Sequence, residues 1–377
     1  FSFISGEIAK TGPDAMQIET PVVTMGIRGT TVAGKAAVEG NENAFTLLQD
    51  ADGGVGQISI SNDGGTQVLA QVGATTTVSS FCTTSPTSVN KFFEEANRRE
   101  MCVVAGKTCM DRNAPEFLLD TVNSSYDESK KLIEKWHKTN RLVYAISPRF
   151  APTSTPEQLE CLGNLWSEHP DCIMQTHLSE QLEEINWVKE LYPKAENYLS
   201  VYDKFNLVRE NSIFGHCIHL SEKELEILEE RNSSVAHCPT SNLFIGSGVF
   251  NLRGFNEKKI KVGLATDTGG GTFFSMLKTM SETYKVSQLS KFSIHAAQLL
   301  WLATMGSSAS LNLENKIGNI EKNYCADLNI INLSSTKEIE QRKNQSNNIW
   351  EAIFPTLIMG DDRAIVSTWV NGNEVKV

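Results

Sequence analysis

Groups able to hold a metal or move a proton recur at the ends of apolar runs in the second half of this sequence. Gln175-Thr176-His177-Leu178-Ser179-Glu180 closes one run, and Phe214-Gly215-His216-Cys217-Ile218-His219 forms the next. Ala236-His237-Cys238-Pro239 follows, and Gly263-Leu264-Ala265-Thr266-Asp267 completes the set, with Thr268-Gly269-Gly270-Gly271 behind it. Imidazole and carboxylate are good ligands for zinc or iron. Spreading them over successive strand ends is how a parallel barrel builds a metal site. A lone His is more often a hydrogen-bonded core residue. Three consecutive strands ending in His, then one ending in Asp, point to chemistry rather than packing. His219 precedes a helix start and reads as structural, and His237 need not touch a metal. His137, His169 and His295 fall on or beside helical stretches and read as packing or surface residues. None of the 8 Cys forms a C-x-x-C pair, which excludes a zinc ribbon and a thioredoxin motif.

The elements that must carry these groups alternate in type. Strand-like runs cover Thr75–Cys82, Met101–Thr108, Leu142–Phe150, Cys172–His177, Ser212–His219, Ser233–Cys238 and Lys261–Asp267. Helical patterns fall between them at Val89–Arg99, Asp127–His137, Glu157–Glu168, Gln181–Leu191, Glu222–Glu230 and Phe274–Val286. Thr155-Pro156-Glu157-Gln158 and Ser221-Glu222-Lys223-Glu224 are helix starts, with a capping hydroxyl and a Gln or Glu at the third helical position. Repeated β–α units with nearly continuous apolar strands predict a parallel sheet with right-handed crossovers. The expected fold class is α/β, a TIM-like (β/α)8 barrel. It has seven recognisable strands where eight are needed, and the missing one is at the front.

The first fifth of the chain differs in kind. Residues 1–80 contain no Cys, His, Trp or Tyr, yet hold 12 of the 26 Gly, with 3 basic and 8 acidic residues. Short β-prone runs separated by Asp52-Gly53-Gly54 and Asn62-Asp63-Gly64-Gly65 predict a small all-β segment. The expected organisation is a β segment over 1–74, a barrel over 75–320, and strands of a small β-sandwich over 321–377. A net charge of -11 lacks the basic face of a nucleic-acid binder. No apolar run approaches the ~20 residues of a membrane span, and no signal peptide opens the chain. A soluble protein with no membrane partner is expected.

Two resemblances follow from the motifs. Glu19-Thr20-Pro21-Val22-Val23-Thr24-Met25-Gly26-Ile27-Arg28-Gly29-Thr30-Thr31 resembles the core motif of FecR-like domains, β-rich modules of bacterial envelope and signalling proteins. From about Thr75 onward the chain resembles the amidohydrolase superfamily, and within it the guanine deaminases. The matching stretches are Val104–Lys107, Met110–Glu116, Ser147–Thr153, Gln175–Glu180, His237–Asn242 and Thr266-Asp267. The His and Asp motifs indicate the superfamily, whereas Arg149-Phe150 and the Met110–Glu116 run narrow it. The resemblance implies a zinc-dependent hydrolase that converts guanine and water to xanthine and ammonia. His177 and Asp267 would be metal ligands, and Asp267 also an acid/base group on the attacking water. Glu180 would shuttle the proton, and His216 would orient the hydroxide. Arg149 would donate to the purine carbonyl, and Phe150 would shape the base pocket. The resemblance further implies a cytoplasmic enzyme, with a homodimer as a family possibility.

The sequence departs from that family at its start. Guanine deaminases open their barrel with a strand ending in His-x-His, which supplies two zinc ligands; here no histidine precedes His137. Weak zinc binding is therefore expected, with very slow turnover of guanine or none. Thr75–Ser80 fits the end of a FecR-like segment and equally the second barrel strand, the form that a chimeric join through shared sequence would leave. The competing expectations are an amidohydrolase for another aminated heterocycle, and a FecR-like envelope or signalling module carrying an inactive barrel remnant.

Overall fold

A computed structural model gives the fold. It describes residues 83–375 in full and, before them, the backbone of eight strands between Ser2 and Ser80. The chain divides into two compact units, residues 1–74 and the remainder from Thr75 onward.

In the first unit, β1 (Ser2–Ile4), β4 (Thr31–Lys35) and β5 (Ala44–Leu48) form a three-stranded antiparallel sheet in the order β1-β4-β5. A second antiparallel sheet runs β2 (Gln17–Glu19), β3 (Thr24–Arg28), β6 (Gln57–Asn62), β7 (Gly65–Leu69). At the end of that sheet β6 and β7 pair antiparallel, with Asn62 opposite Gly65.

The second unit is built on parallel strands. β8 (Thr76–Ser80), β9 (Cys102–Gly106), β11 (Leu142–Pro148), β12 (Ile173–Leu178), β13 (Ser212–His216), β14 (Ser234–His237) and β15 (Lys261–Leu264) lie side by side in chain order. Short β10 (Thr108–Cys109) extends the β9 side and pairs with β11. These are the seven expected strands, and β8 and β15 are the two edges of the curled sheet. Helices α1 (Pro86–Arg98), α2 (Val122–Trp136), α3 (Pro156–Glu168), α4 (Leu182–Leu191) and α6 (Glu222–Glu230) fill crossovers. The Thr155 hydroxyl accepts from the Gln158 amide at 3.2 Å. The Ser221 amide donates to the Glu224 carboxylate at 2.8 Å, so both read capping signals do what their chemistry predicts.

Strand alternation decides which side chains face which core. Val103, Ala105, Tyr144, Ile146, Met174, Phe214 and Val235 join Phe93, Leu132, Leu159 and Trp166 in the core between sheet and helices. Their neighbours Val104, Ala145, Ile173 and Ile213 pack on the opposite face around Leu311. By the same period of two, His177 shares the Ile173 face, whereas His237 shares the Val235 face and stacks on Phe250 at 4.2 Å.

Several elements carried no clear signal in the sequence. These are α5 (Tyr198–Lys204), α7 (Pro239–Phe244), α8 (Leu252–Glu257), α10 (Ala296–Trp301), α11 (Ser307–Ser310), α12 (Lys337–Lys343) and α13 (Ile349–Met359). Most are six or seven residues long, too short for a helical period to declare itself. The helix expected at Phe274–Val286 is α9 (Met276–Leu289). The C-terminal strands β16 (Leu328–Ile331), β17 (Ile365–Val370) and β18 (Asn373–Val375) form a three-stranded antiparallel sheet. α13 returns to α9, where Ser281 donates to the Ile358 carbonyl at 2.8 Å and Tyr284 meets Phe354 edge-on.

Candidate active site

The chemistry-bearing strand ends converge on His216. Its Nδ1 donates to Asn242 Oδ1 at 2.9 Å and lies 3.2 Å from Glu180 Oε1. With the proton on Nδ1, Nε2 carries the lone pair, 4.0 Å from Asp267 Oδ2. The His177 ring stacks on His216 with centroids 5.4 Å apart, and Phe150 meets His177 edge-on at 6.3 Å. His216 is almost fully buried, Glu180 less so, and the Asp267 side chain keeps about a third of its surface open.

The backbone around these groups is held in a conformation that ordinary residues avoid. Ser179, His216, Cys217 and Asp267 all have positive φ, at 48°, 68°, 51° and 46° respectively. Left-handed non-glycine residues cost energy and persist where the surroundings over-determine them. One result concerns His216 directly. Simple alternation would put it on the helix-facing side with Phe214, and the left-handed turn at the strand end instead aims it at Glu180 and Asp267. Behind Asp267 the chain turns so tightly that a Cβ on Gly271 would sit 2.0 Å from the Thr266 carbonyl, which is why glycine is needed there.

Electrostatics follow from burial. Burial raises the Glu180 carboxyl above its ordinary value, opposed by His177 and by a 3.1 Å hydrogen bond from Ser247 Oγ. Burial, then His216, holds the His177 imidazole low, with Asp267 acting the other way. His237 is held lowest, at about 3, by burial and then His216, so it is neutral at any physiological pH.

Arg149 and Phe150 leave β11 beside this cluster. Arg149 is exposed, its guanidinium 5.2 Å from the Phe150 ring centroid and its Nη1 donating to Met110 Sδ at 3.8 Å. Among the described residues no carboxylate lies within 4.0 Å of that guanidinium, so Arg149 is not spent on a structural ion pair. The following turn is clamped by the Met110–Glu116 run. Arg112 donates to the Ala151 carbonyl at 2.9 Å, Asn113 to the Pro152 carbonyl at 2.8 Å, and Asp111 accepts from the Thr155 amide at 2.7 Å. Lys107, fully buried, anchors the base of that run through Asp120 at 2.7 Å and Glu128 at 2.8 Å.

His177 is prepared to ligate. Its Nδ1 donates to the Arg149 carbonyl at 2.7 Å, leaving the Nε2 lone pair uncommitted, the tautomer that a ligating imidazole takes. Asp267 offers a carboxylate near enough to act on the His177 imidazole. These two donors fit two positions of a zinc shell, whereas a catalytic zinc usually takes three protein ligands. Among the described residues, the three-donor group whose atoms all lie within 4.8 Å of one another is His137, Asp171 and Cys172. It does not suit a metal: His137 Nδ1 accepts from the Tyr144 amide, which places the ring proton on Nε2, and burial pushes the Cys172 thiol up to about 12.

Two further histidines are engaged by backbone groups. His219 Nε2 donates to the Ser247 carbonyl at 2.8 Å, and His295 Nδ1 caps α10 by accepting from the Ala297 amide. Sequence reasoning missed Ser247 and Asn242 as partners of Glu180 and His216. Asn242 ended a motif already singled out, next to a strand-end His, and could have been found; Ser247 carried no signal.

The family model described as "Amidohydrolase family" matches residues 64–375. The guanine deaminase of Escherichia coli (strain K12) is 48% identical over 301 residues, 80% of this chain and 69% of that protein. Its solved structure superposes with a TM-score of 0.77, covering 78% of this chain and 69% of that one. The guanine deaminase of Dictyostelium discoideum is 34% identical over 75% of this chain and 64% of its own length. A guanine deaminase from C. acetobutylicum, solved with guanine bound in its active site, has a TM-score of 0.74 at 29% identity, covering 80% of this chain and 72% of that one.

Proposed function

The chain belongs to the amidohydrolase family, among the guanine deaminases, and from that premise we propose that its strand-end cluster hydrolyses the exocyclic amine of guanine, releasing xanthine and ammonia. Arg149 donates to the purine carbonyl and Phe150 covers one face of the base. His177 Nε2 and the Asp267 carboxylate are the groups that would hold a zinc ion. Zinc supplies Lewis acidity that makes water a nucleophile near neutral pH. Glu180, whose carboxyl is pushed up by burial, is suited to carry a proton from water to the ring nitrogen and then to the departing amine. His216, pinned through Nδ1 to Asn242 and Glu180, keeps Nε2 directed toward Asp267 and the reacting water.

The observation that carries this reading is the meeting of Glu180, His216 and Asp267 from three different strand ends, beside an Arg149 that pairs with no described carboxylate. With two such donors among the described residues, where a catalytic zinc usually takes three protein ligands, zinc would be held weakly and turnover would be slow. Among the described residues, Cys109, Cys161, Cys172, Cys217, Cys238 and Cys325 are thiols outside any disulfide, which supports a reducing, cytoplasmic setting. We further read the first unit as a FecR-like β segment, on its Glu19–Thr31 motif and its two antiparallel sheets.

The test is ammonia release by zinc-loaded full chain from guanine, adenine, cytosine and aminotriazines in parallel. Guanine is expected to be preferred. Preference for another ring would reassign the substrate while keeping the family.

A further inference from the structure

Helix α5 touches no strand end by sequence, yet its two tyrosines reach both halves of the candidate site. Tyr202, fully buried, donates through its hydroxyl to the His177 carbonyl at 2.9 Å. The same oxygen accepts from the Ala151 amide at 2.9 Å and from Thr176 Oγ1 at 3.2 Å. Ala151 directly follows Arg149-Phe150, so a single phenol ties the base-binding turn of β11 to the ligating histidine of β12. The Arg149 carbonyl reinforces the tie, because it accepts from both His177 Nδ1 at 2.7 Å and the His177 amide at 3.3 Å. One turn earlier, Tyr198 Oη donates to Glu184 Oε1 at 2.7 Å. Glu184 Oε2 in turn accepts from the Glu180 and Gln181 amides at 2.9 and 3.0 Å, fixing the backbone of the proton-carrying residue. The two rings stack on each other at 5.7 Å, and Tyr202 also packs on Phe214 at 5.9 Å.

We propose that α5 is the positioning element of this site, with Tyr202 setting Arg149 and Phe150 relative to His177 and Tyr198, through Glu184, setting Glu180. The proposal rests on the reading above for the roles of Arg149, His177 and Glu180. Neither tyrosine touches substrate or metal. Their hydroxyls act through Ala151, His177 and Glu184, and the rings alone would keep the packing.

The variants are Tyr202→Phe and Tyr198→Phe in the full chain, which remove only hydroxyls. Tyr144→Phe is the control: that phenol is equally buried, but it accepts from the Lys107 amide at 3.3 Å, away from the site. Two readouts are taken: guanine affinity by equilibrium titration, and the His177 imidazole tautomer by ¹⁵N NMR of histidine-labelled protein. Tyr202→Phe is expected to weaken guanine binding about tenfold, the scale of one lost hydrogen bond, and to broaden or shift the His177 signals. Tyr144→Phe should lower thermal stability comparably and leave both unchanged. If Tyr202→Phe loses stability but keeps guanine affinity and the His177 signals, its role is merely structural and the proposal is wrong. If the parent chain binds no guanine, the functional reading fails, and the His177 signals alone decide the proposal. Should Tyr202→Phe not fold, Tyr198→Phe decides: faster hydrogen exchange at the Glu180 amide with unchanged exchange in β12 supports the proposal, and unchanged exchange at Glu180 overturns it.

Discussion

Replacing Lys107 by Met removes the ammonium at the root of the Met110–Glu116 clamp and leaves its two acids to fend for themselves. They fare differently. The Glu128 side chain is a third exposed and can turn to water, but Asp120 is 94% buried and its Oδ2 has no protein partner. Removing one member of a buried ion pair typically costs about 3–5 kcal/mol. Asp120 keeps a bond from Ser124 Oγ at 3.4 Å and help from the Met110 amide, so the low end, about 3 kcal/mol, applies. The loss has a pH signature. Burial already raises the folded Asp120 carboxyl above its ordinary value, with Lys107 opposing. Without Lys107 the folded value rises further, so the folded state holds a proton that the unfolded state has released. Stability then falls as pH climbs from the ordinary carboxylate range through the raised folded value. The deficit of the variant should therefore be small near pH 4 and largest above neutrality. Urea unfolding of parent and variant across pH 4–8, followed by tryptophan fluorescence, measures it; all six Trp lie in the second unit. A deficit that is small or flat with pH would refute the view that this triad bears load.

Three further outcomes are expected. Ser247→Ala removes the hydroxyl that lowers the Glu180 carboxyl, so the acidic limb of the pH–rate profile should move to higher pH, with the unfolding midpoint unchanged. Arg149→Ala should weaken guanine binding by about 10- to 100-fold, the loss of a charged hydrogen bond, without destabilising the fold, because Arg149 pairs with no described carboxylate. His177→Ala should abolish what zinc binding the chain has, measured by competition with a chromogenic chelator, whereas His137→Ala should leave it intact, since His137 Nδ1 is already committed to the Tyr144 amide.

Much of this arrangement was legible because it rests on local rules. Apolar runs bounded by caps announced β9 to β15, and Ser221 and Thr155 marked helix starts where their capping hydrogen bonds form. The period of two separates His177, on the Ile173 face, from His237, on the Val235 face, so the lesser standing of His237 could have been argued from alternation alone. His216 could not, because a left-handed turn overrides the alternation. Tyr202 and Ser247 were invisible for a different reason. Each acts through a partner more than twenty residues away, and only the fold brings those atoms to hydrogen-bonding distance.

The measurement that bears most directly on the account is xanthine formation from guanine by zinc-loaded parent chain and by Glu180→Gln, an isosteric change that keeps an oxygen for Ser247 and His216. A slow but real parent rate should fall by about 100-fold or more, the scale of a lost general acid–base, with guanine affinity and unfolding unaltered. No xanthine from the zinc-loaded parent, or a Glu180→Gln rate matching it, would contradict the assignment.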